Sequence, residues 1–295
     1  MRSVYKITFF FSVGLTVVAI VLIATFGLRF GADFRGGSVM ELVFNDQRPP
    51  VDELGKVVGA VEGVSNVGVS PEGDNGVLIR LNDVDEQAHQ NILGAISGKF
   101  GKITENRFDS IGPTVGNDLK SKSIKAIIIS LLAIVVYLAI VFRKLSSVLS
   151  PWALGLSAVA ALVHDVLVPV GLFALLGHYL NIEITSIFVA AALTILGYSI
   201  SDSVVVFDRI RENVLRFGAR EDFGETVHKS IMQTLVRSLN TTFTVLLSLV
   251  AIFFFGGESI KYFALALIVG VFCGAYSSIF IASPILVWWG RGKRS

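Results

Sequence analysis

Charged residues are scarce in this 295-residue chain: Asp, Glu, Lys and Arg make up only 16% of it, whereas they make up about 25% of an ordinary soluble domain. Hydrophobic residues make up 53% of the sequence, and its mean hydropathy is +0.70. This composition excludes an ordinary soluble protein and predicts a chain that crosses a membrane several times. The net charge is only +2, which gives no indication of nucleic acid binding.

Cysteine is nearly absent as well. Cys273 is the only cysteine, so an intramolecular disulfide is excluded. Because Cys273 lies in an apolar run, it is more typical of a small packing residue than of a reactive thiol.

Six apolar runs are long enough to cross a bilayer as helices. The first has the position of a signal peptide, but its apolar stretch exceeds the usual length of about 7–15 residues and no small-residue cleavage site closes it. We therefore expect it to remain as an anchor. The six predicted spans are Ile7–Leu28, Ile124–Phe142, Trp152–Leu176, Ile187–Phe207, Ser238–Phe255 and Tyr262–Trp289.

Basic residues near the predicted spans fall almost entirely on one side of the membrane, and lysine and arginine favour the cytoplasmic side. The short loops of the opposite side contain only Lys261. We therefore expect both termini in the cytoplasm and residues 30–122 outside, between a first span (1–29) and a five-span bundle (123–295). The basic residues on the expected cytoplasmic side are Arg2, Lys6, Arg143, Lys144, Arg209, Arg211, Arg216, Arg220, Lys229, Arg291, Lys293 and Arg294.

The segment expected outside predicts a small α+β domain. Four strand patterns and two amphipathic helix patterns follow the order β-α-β-β-α-β, which is that of a ferredoxin-like domain. Pro71–Gly76 is predicted as the turn between the two middle strands. No cofactor motif is visible in this segment, and we expect neither a cofactor nor a metal. The predicted elements are Ser38–Phe44, Val51–Val61, Val67–Ser70, Val77–Leu81, Asp85–Phe100 and Lys102–Phe108.

Three ionisable residues lie in or beside the predicted spans, where a charged side chain costs about 2.5–3.5 kcal/mol to insert. Asp202 lies within the fourth span, Asp165 near the middle of the third, and Arg237 at the start of the fifth. Such residues are typical of a path for a proton, an ion or a substrate. The alternative for each is a structural ion pair, or a charge at a misjudged span end.

Asp202 and Arg237 lie at similar depth when residues are counted from the cytoplasmic ends of their helices, so their side chains could meet. A nearby arginine favours the ionised carboxylate and its withdrawal favours the protonated one, so a movable contact predicts a proton switch. A fixed structural pair is the alternative.

Polar side chains near these residues are candidates to hold water for proton transfer, although hydroxyl groups in helices often bond backbone carbonyls instead. His164 is a further candidate, because histidine is a common proton relay. We rank it below the acids because it points about 100° away from Asp165 around the helix. The polar candidates are Tyr198, Ser199, Asn240, Thr241 and Thr242.

Small residues recur at every fourth position on two of the spans, a pattern typical of closely packed helices. The stripe that includes Asp165 predicts a helix face buried in protein. Both stripes are candidate seams to a partner subunit. They are formed by Ala153, Ser157, Ala161 and Asp165 in the third span and by Gly270, Gly274 and Ser278 in the sixth.

Five segments are similar to the motifs of the SecF family, the membrane subunits of the bacterial protein-export machinery. The similarity extends over essentially the whole chain, and its most specific part is the stretch 197–213, which begins with Gly197 and Tyr198. The other segments are 31–37 with Asp33, Phe34, Gly36 and Gly37, 111–116 with Gly112 and Pro113, 163–166, and 233–242.

This resemblance implies an accessory translocase subunit of the RND-transporter type that uses the proton-motive force to promote preprotein export across the bacterial inner membrane. It implies the sister subunit SecD and the SecYEG channel as partners, with YajC and YidC as further ones, and it implies that Asp202 and Arg237 conduct protons. Six spans and one outer domain make only half of an RND-type unit, so we expect a partner to supply the other half.

Two other functions are open. Half of an RND-type exporter of lipids or small molecules would share this chemistry, and copurification with the translocase channel distinguishes it. An intramembrane aspartyl protease would use Asp165 and Asp202 as a pair of close carboxylates that share one proton. The nearby Arg237 and the absence of a Gly-x-Gly-Asp sequence at Asp202 disfavour the protease, and we expect no enzymatic activity.

Overall fold

The computed structural model describes residues 3–143, 151–217 and 222–291. The chain divides into two compact units: a helical unit of residues 1–29, 125–182 and 187–295, and an α/β unit of residues 30–124 and 183–186. Five of the basic residues that predict the orientation lie outside the described residues, namely Arg2, Lys144, Arg220, Lys293 and Arg294.

The described chain contains helices, four strands and one π-helical turn. They are α1 (Ser3–Phe26), α2 (Ala32–Arg35), β1 (Gly37–Phe44), α3 (Val51–Gly59), β2 (Gly68–Glu72), β3 (Gly76–Leu81), α4 (Glu86–Phe100), β4 (Ile103–Ile111), α5 (Pro113–Val141), α6 (Pro151–Leu180), α7 (Ser186–Phe217), α8 (Phe223–Phe255), α9 (Glu258–Ser277), a π-helical turn (Ser278–Ala282) and α10 (Ser283–Arg291).

Six helices of the described chain are long and apolar enough to cross a membrane, which confirms the predicted number of spans. The last of these, which we call the last span, runs through α9, the π-helical turn and α10 from Ile260 to Trp289. The helices extend beyond the predicted apolar runs because polar turns continue them. α8, for example, begins before its apolar run, and the carboxylate of Asp222 caps it by accepting a hydrogen bond from the backbone N–H of Gly224.

The interior of the helical unit is formed mainly by α6, α7 and the last span. Within the most apolar window of each of these helices 44%, 44% and 61% of residues are buried, against 11%, 6% and 17% in α1, α5 and α8. The central core includes Phe142, Phe207, Ile210 and Leu286. Residues buried on α6, α7 and the last span are therefore shielded by this chain alone.

The small-residue stripes lie inside the helical unit. All four residues of the α6 stripe are 0% exposed, which confirms that this face is buried in protein. A Cβ atom at Gly270 would lie 2.2 Å from Ile195 Cδ1, and one at Gly274 would lie 3.0 Å from Ser199 Cβ. Glycine therefore allows α9 to approach α7 closely. The prediction that these stripes are seams to a partner is wrong, since both pack within this chain.

The α/β unit contains a four-stranded antiparallel sheet in the order β2-β3-β1-β4. The four predicted strands and two predicted helices are all present. Leu54 and Val58 of α3 and Ile92 and Ile96 of α4 are fully buried against the sheet residues of the same core. The unit thus has two layers with one continuous hydrophobic core.

The predicted turn Pro71–Gly76 is too long. Strand β2 continues through Pro71 to Glu72, which leaves only Gly73–Asn75 as the turn. Proline has no backbone N–H to give to a neighbouring strand, but β2 is an edge strand, so the missing donor is tolerated there. A proline in the sequence can therefore mark either a turn or an edge strand.

A buried histidine joins α4 to β4. His89 Nε2 lies 2.7 Å from Glu105 Oε1, and its ring stacks on Phe108 with centroids 3.8 Å apart. Hydrogen bonds from Gln90 and His89 lower the pKa of the exposed Glu86 carboxyl below its ordinary value. A carboxyl whose folded pKa is lowered contributes stability above its ordinary pKa, and this contribution is lost as the pH falls through the folded value.

Candidate functional site

Asp202 of α7 is buried, with 9% of its surface exposed. Its Oδ1 accepts a hydrogen bond from Ser238 Oγ of α8. Its Oδ2 accepts a second from Ser278 Oγ, at 2.5 Å, at the start of the π-helical turn. Hydrogen bonds of about 2.5–2.7 Å are typical of a hydroxyl that donates to an ionised carboxylate. Two neutral hydroxyls therefore hold this carboxylate inside the span.

Asp165 of α6 is fully buried and has a similar environment. Its Oδ2 accepts hydrogen bonds from Ser199 Oγ of α7, at 2.5 Å, and from Ser277 Oγ of α9, at 2.6 Å. Its Oδ1 lies 3.0 Å from Nδ1 of His164. Asp165 and Asp202 are thus held by separate hydroxyls, and no hydrogen bond joins the two carboxyl groups in the described chain.

His164, which the sequence ranks below the acids, contacts Asp165. The two neighbouring side chains do start about 100° apart around α6, but the imidazole is long enough for its Nδ1 to reach the adjacent carboxylate. The ring is buried, and among the described residues nothing bonds its Nε2. His164 therefore presents one nitrogen to Asp165 and retains a second, unbonded one.

Arg237 does not meet Asp202, and the structure contradicts the expected contact. Within the described ranges no salt bridge joins the two residues, and Arg237 is exposed. The counted depth is correct, because Ser238, the next residue, bonds the carboxylate. Consecutive side chains on a helix point about 100° apart, so when Ser238 faces Asp202 its neighbour turns away.

Arg237 instead lines a cavity of about 240 Å³ between α5, α7 and α8. The other polar side chains that line this cavity are those of Asp208, Arg209, Gln233 and Thr234. Asp208 already pairs with Arg211 at 3.0 Å. The guanidinium therefore lies beside a space that a small polar group or water could occupy.

The remaining polar candidates divide by role. Tyr198 donates to Thr242 Oγ1 at 2.9 Å and so ties α7 to α8. Thr241 donates to the backbone carbonyls of Arg237 and Ser238, which is the ordinary structural role of such a hydroxyl. Asn240 is exposed. Of the predicted polar residues, only Ser199 and His164 contact a buried carboxylate.

Three serines of the site, Ser238, Ser277 and Ser278, were not predicted from the sequence. Ser278 was predicted only as part of a packing stripe. The usable signal was Ser277 beside Ser278 within the long apolar run of the last span. Adjacent hydroxyls there need acceptors, and buried carboxylates on neighbouring helices can supply them.

The motif residues near the start of the α/β unit pack against one another. A Cβ at Gly36 would lie 2.7 Å from Pro113 Cα, and one at Gly37 would lie 2.7 Å from the Leu81 carbonyl oxygen; both glycines have positive φ angles. A Cβ at Gly116 would lie 2.9 Å from the Gly36 nitrogen. The two glycine motifs therefore form one tight contact, with no room for a side chain.

Asp33 and the other motif residues have structural surroundings. Asp33 Oδ2 accepts hydrogen bonds from the backbone N–H of Ser186, at 2.8 Å, and from its Oγ, at 2.5 Å, at the first residue of α7. Phe34 is buried. Gly112 lies near Asp83, and a Cβ atom at Gly197 would have no neighbour within 4 Å among the described residues. Asp33 thus caps the first residue of α7, which belongs to the same unit as Asp33.

Among the described residues, no cluster of three or more histidine, cysteine or acidic side chains is arranged to hold a metal ion. The two buried carboxylates have serine hydroxyls as their main ligands. This arrangement suits a proton better than a metal ion, since hydroxyls both donate and accept hydrogen bonds.

Comparison with protein families gives two matches. A family profile described as protein export membrane protein SecD/SecF, C-terminal, matches residues 93–292, and a second, described as the SecD/SecF GG motif, matches residues 21–47. The first covers the carboxylate site, and the second covers Asp33 and the adjoining glycines.

Individual relatives match over most of this chain. The protein translocase subunit SecF of Thermobaculum terrenum is 42% identical over 275 residues, which covers 90% of this chain and 85% of the relative. The SecF of Anaerolinea thermophila is 37% identical and covers 96% and 92%. The translocase subunit SecDF of Brucella abortus is 35% identical over 97% of this chain, but that match covers only 37% of the longer SecDF chain.

Two solved structures have a similar fold. A crystal structure of SecDF from Thermus thermophilus, described as a translocon-associated membrane protein, is 30% identical with a TM-score of 0.84. SecDF in a super-membrane-facing form is 29% identical with a TM-score of 0.69. They match 97% and 98% of this chain, which in turn covers 38% of each SecDF chain.

Proposed function

Because this chain belongs to the SecD/SecF family of protein-export membrane proteins, we propose that Asp202 takes up and releases protons and that this exchange drives the family's export work. The chain is a multi-pass protein of the bacterial inner membrane with an accessory role in Sec protein export. Its work is therefore transport, and we propose that it has no catalytic activity of its own.

The observation that carries the proposal is the setting of Asp202, a carboxylate buried inside a span and held by two hydroxyls. An ionised group at this depth is costly, so a buried carboxylate without a compensating charge indicates a function. Among the described residues no cation pairs with it. Hydroxyls can donate to the ionised carboxyl or accept from the protonated one, so the same serines can bond both states.

The proton gradient supplies enough energy for such a device. One charge that crosses 100 mV releases about 2.3 kcal/mol, which changes a two-state equilibrium by a factor of about fifty. Asp165 and His164 form a second group that can bind or pass a proton. We assign them a supporting role because they are enclosed on all sides by the chain itself.

We propose that Arg237 acts toward the partner subunit. It is an exposed cation on α8, a helix otherwise rich in exposed apolar side chains such as Leu239 and Phe243. An arginine placed there needs an acidic or polar partner, because lipid tails offer none. In SecDF relatives the region matched by this chain is fused to a larger remainder, which supports SecD as the partner, beside the SecYEG channel. YajC and YidC rest on the family resemblance alone.

We propose that the α/β unit is a ferredoxin-like domain on the outer side of the membrane and that both termini are cytoplasmic. The antiparallel order β2-β3-β1-β4, with α3 and α4 as the crossing helices, supports the domain type. The basic residues at the far end of α7, Arg209 and Arg211, support the orientation, since they mark the cytoplasmic side. Proton uptake at Asp202 would then shift this domain and help to draw preproteins outward.

This orientation predicts a labelling pattern. Cys273 is the only cysteine and is buried, so a cysteine introduced at an exposed site gives a clean signal. Asp74→Cys, in the turn after β2, is expected to react with a membrane-impermeant maleimide in intact spheroplasts. Glu212→Cys, near the end of α7, is expected to react only after the membrane is permeabilised. The reverse pattern would contradict the proposed orientation.

Copurification separates Sec export from the RND-exporter alternative. When the tagged chain is extracted from native membranes under mild conditions, SecD and SecYEG are expected to be recovered with it, as judged by mass spectrometry. Recovery with an outer-membrane or lipid-export partner, and without the channel, would favour the exporter. The protease alternative is disfavoured by the structure, since Asp165 and Asp202 share no hydrogen bond and each has its own serines.

A further inference from the structure

Two consecutive serines of the last span contact two different buried carboxylates. Ser277 Oγ donates to Asp165 on α6 at 2.6 Å, and Ser278 Oγ donates to Asp202 on α7 at 2.5 Å. Both serines are fully buried. The hydrogen-bond donors to the two acids are therefore consecutive residues, although the acids lie on different helices.

The backbone changes its geometry at this point. Ser277 ends α9, and Ser278 begins the π-helical turn. Ser283 Oγ donates to the carbonyl oxygen of Ser278 at 2.8 Å, and Pro284 has no backbone N–H with which to continue the regular pattern. Single π-helical turns inside longer helices occur frequently at functional sites.

We propose that Ser277 and Ser278 are positioning residues that couple the protonation state of Asp202 to the hydrogen bonding of Asp165 through the π-helical turn. The proposal rests on the proposed function in one respect, that Asp202 changes its protonation state. It adds that the last span connects the two acids, so that they respond as a pair.

The step follows from what a hydroxyl can do. While Asp202 is ionised, Ser278 donates its hydrogen to the carboxylate. When a hydronium ion transfers its proton to Oδ2 and becomes water, that oxygen becomes a donor, and Ser278 must accept from it or turn away. Ser278 is bonded through its peptide to Ser277, so its movement alters the contact of Ser277 with Asp165. When Asp202 returns the proton to water, the original contacts form again.

The chain offers a matched control for each serine. Ser238 on α8 also donates to Asp202, and Ser199 on α7 also donates to Asp165. Neither control serine is next in the sequence to a residue that donates a hydrogen bond to the other acid. If the two acids influenced each other only by direct electrostatic interaction, loss of the Ser238 hydroxyl and loss of the Ser278 hydroxyl would change the titration of Asp165 equally.

The test is infrared spectroscopy of the purified complex with isotope-labelled aspartate, over a pH titration. The Asp165 signal is identified as the one that Asp165→Asn removes. Among the described residues, His164 on the same helix and Cys273 on α9 are the other titratable groups near Asp165, and every variant keeps both. Ser278→Ala is expected to move the pH midpoint of the Asp165 signal by about half a unit or more, a size typical of coupled neighbours. Ser238→Ala is expected to leave the midpoint of the Asp165 signal unchanged. Ser278→Thr, which keeps the hydroxyl, is expected to give the midpoint of the parent protein.

A second pair of variants keeps the proposal testable if Ser278→Ala does not fold. Ser277→Ala is expected to move the Asp202 signal, and Ser199→Ala is expected not to. Equal effects of the π-turn serines and their controls would overturn the coupling. This readout does not use export, so normal gradient-dependent export by Asp202→Asn would overturn the proposed function while these spectra still decided whether the two acids are linked.

Discussion

Asp202→Asn is expected to abolish the dependence of protein export on the proton gradient. The amide has nearly the shape of the carboxyl group: its oxygen can accept from one of Ser238 and Ser278, and its NH2 can donate to the other, but it cannot ionise and exchange a proton. The measurement is preprotein translocation into inverted membrane vesicles, with and without an imposed gradient. Export by the variant is expected to stay at the level that the parent shows without a gradient.

Two further variants make this result specific. Glu212→Gln neutralises an exposed acid near the end of the same helix, so it is expected to leave gradient-dependent export unchanged. Asp165→Asn is expected to have a milder effect than Asp202→Asn, whereas an aspartyl protease would lose all activity with either change. Normal gradient-dependent export by a stably expressed Asp202→Asn protein would refute the assignment of Asp202.

Much of the fold could be predicted because local patterns determine it. Apolar length alone gives six spans, and alternating periodicity places β1 and β3 within one residue of their observed ends. Sequence patterns did not determine the residues at which several helices and strands begin or end. Pro71 was predicted to end strand β2, but an edge strand tolerates it, and α7 continues well past its apolar run because a polar turn can remain helical.

The site was harder to predict because it depends on rotation about helix axes. Depth follows from counting residues, so the position on α8 that lies level with Asp202 was predicted to within one residue. Which side chain faces Asp202 depends on how α8 is turned, and a single step of about 100° exchanges Arg237 for Ser238. The π-helical turn depends on tertiary contacts and on Ser283, so the paired roles of Ser277 and Ser278 could be found only from the structure.

The structure changes what is expected of Arg237. Arg237→Met is expected to reduce gradient-dependent export strongly while changing the stability of the isolated chain by less than about 0.5 kcal/mol, as is usual for an exposed side chain. The reason is that Arg237 is exposed and forms no ion pair in the described chain. Arg237→Lys keeps the charge but loses the planar guanidinium, so it tests whether charge alone is enough. Vesicle export and thermal unfolding of the purified chain measure the two effects.

The double variant Asp202→Asn with Arg237→Met separates a proton switch from a fixed ion pair. If the two residues formed a static pair in the assembled complex, each single change would strand a buried charge, and neutralising both would restore much of the stability and the export. If Asp202 is the group that carries the proton, the double variant folds and binds its partner subunit but stays inactive, because nothing remains to take the proton up. We expect the folded and inactive outcome, since serine hydroxyls already satisfy the Asp202 carboxylate without the arginine. Recovery of export by the double variant would show that the arginine and the carboxylate are needed only to balance each other.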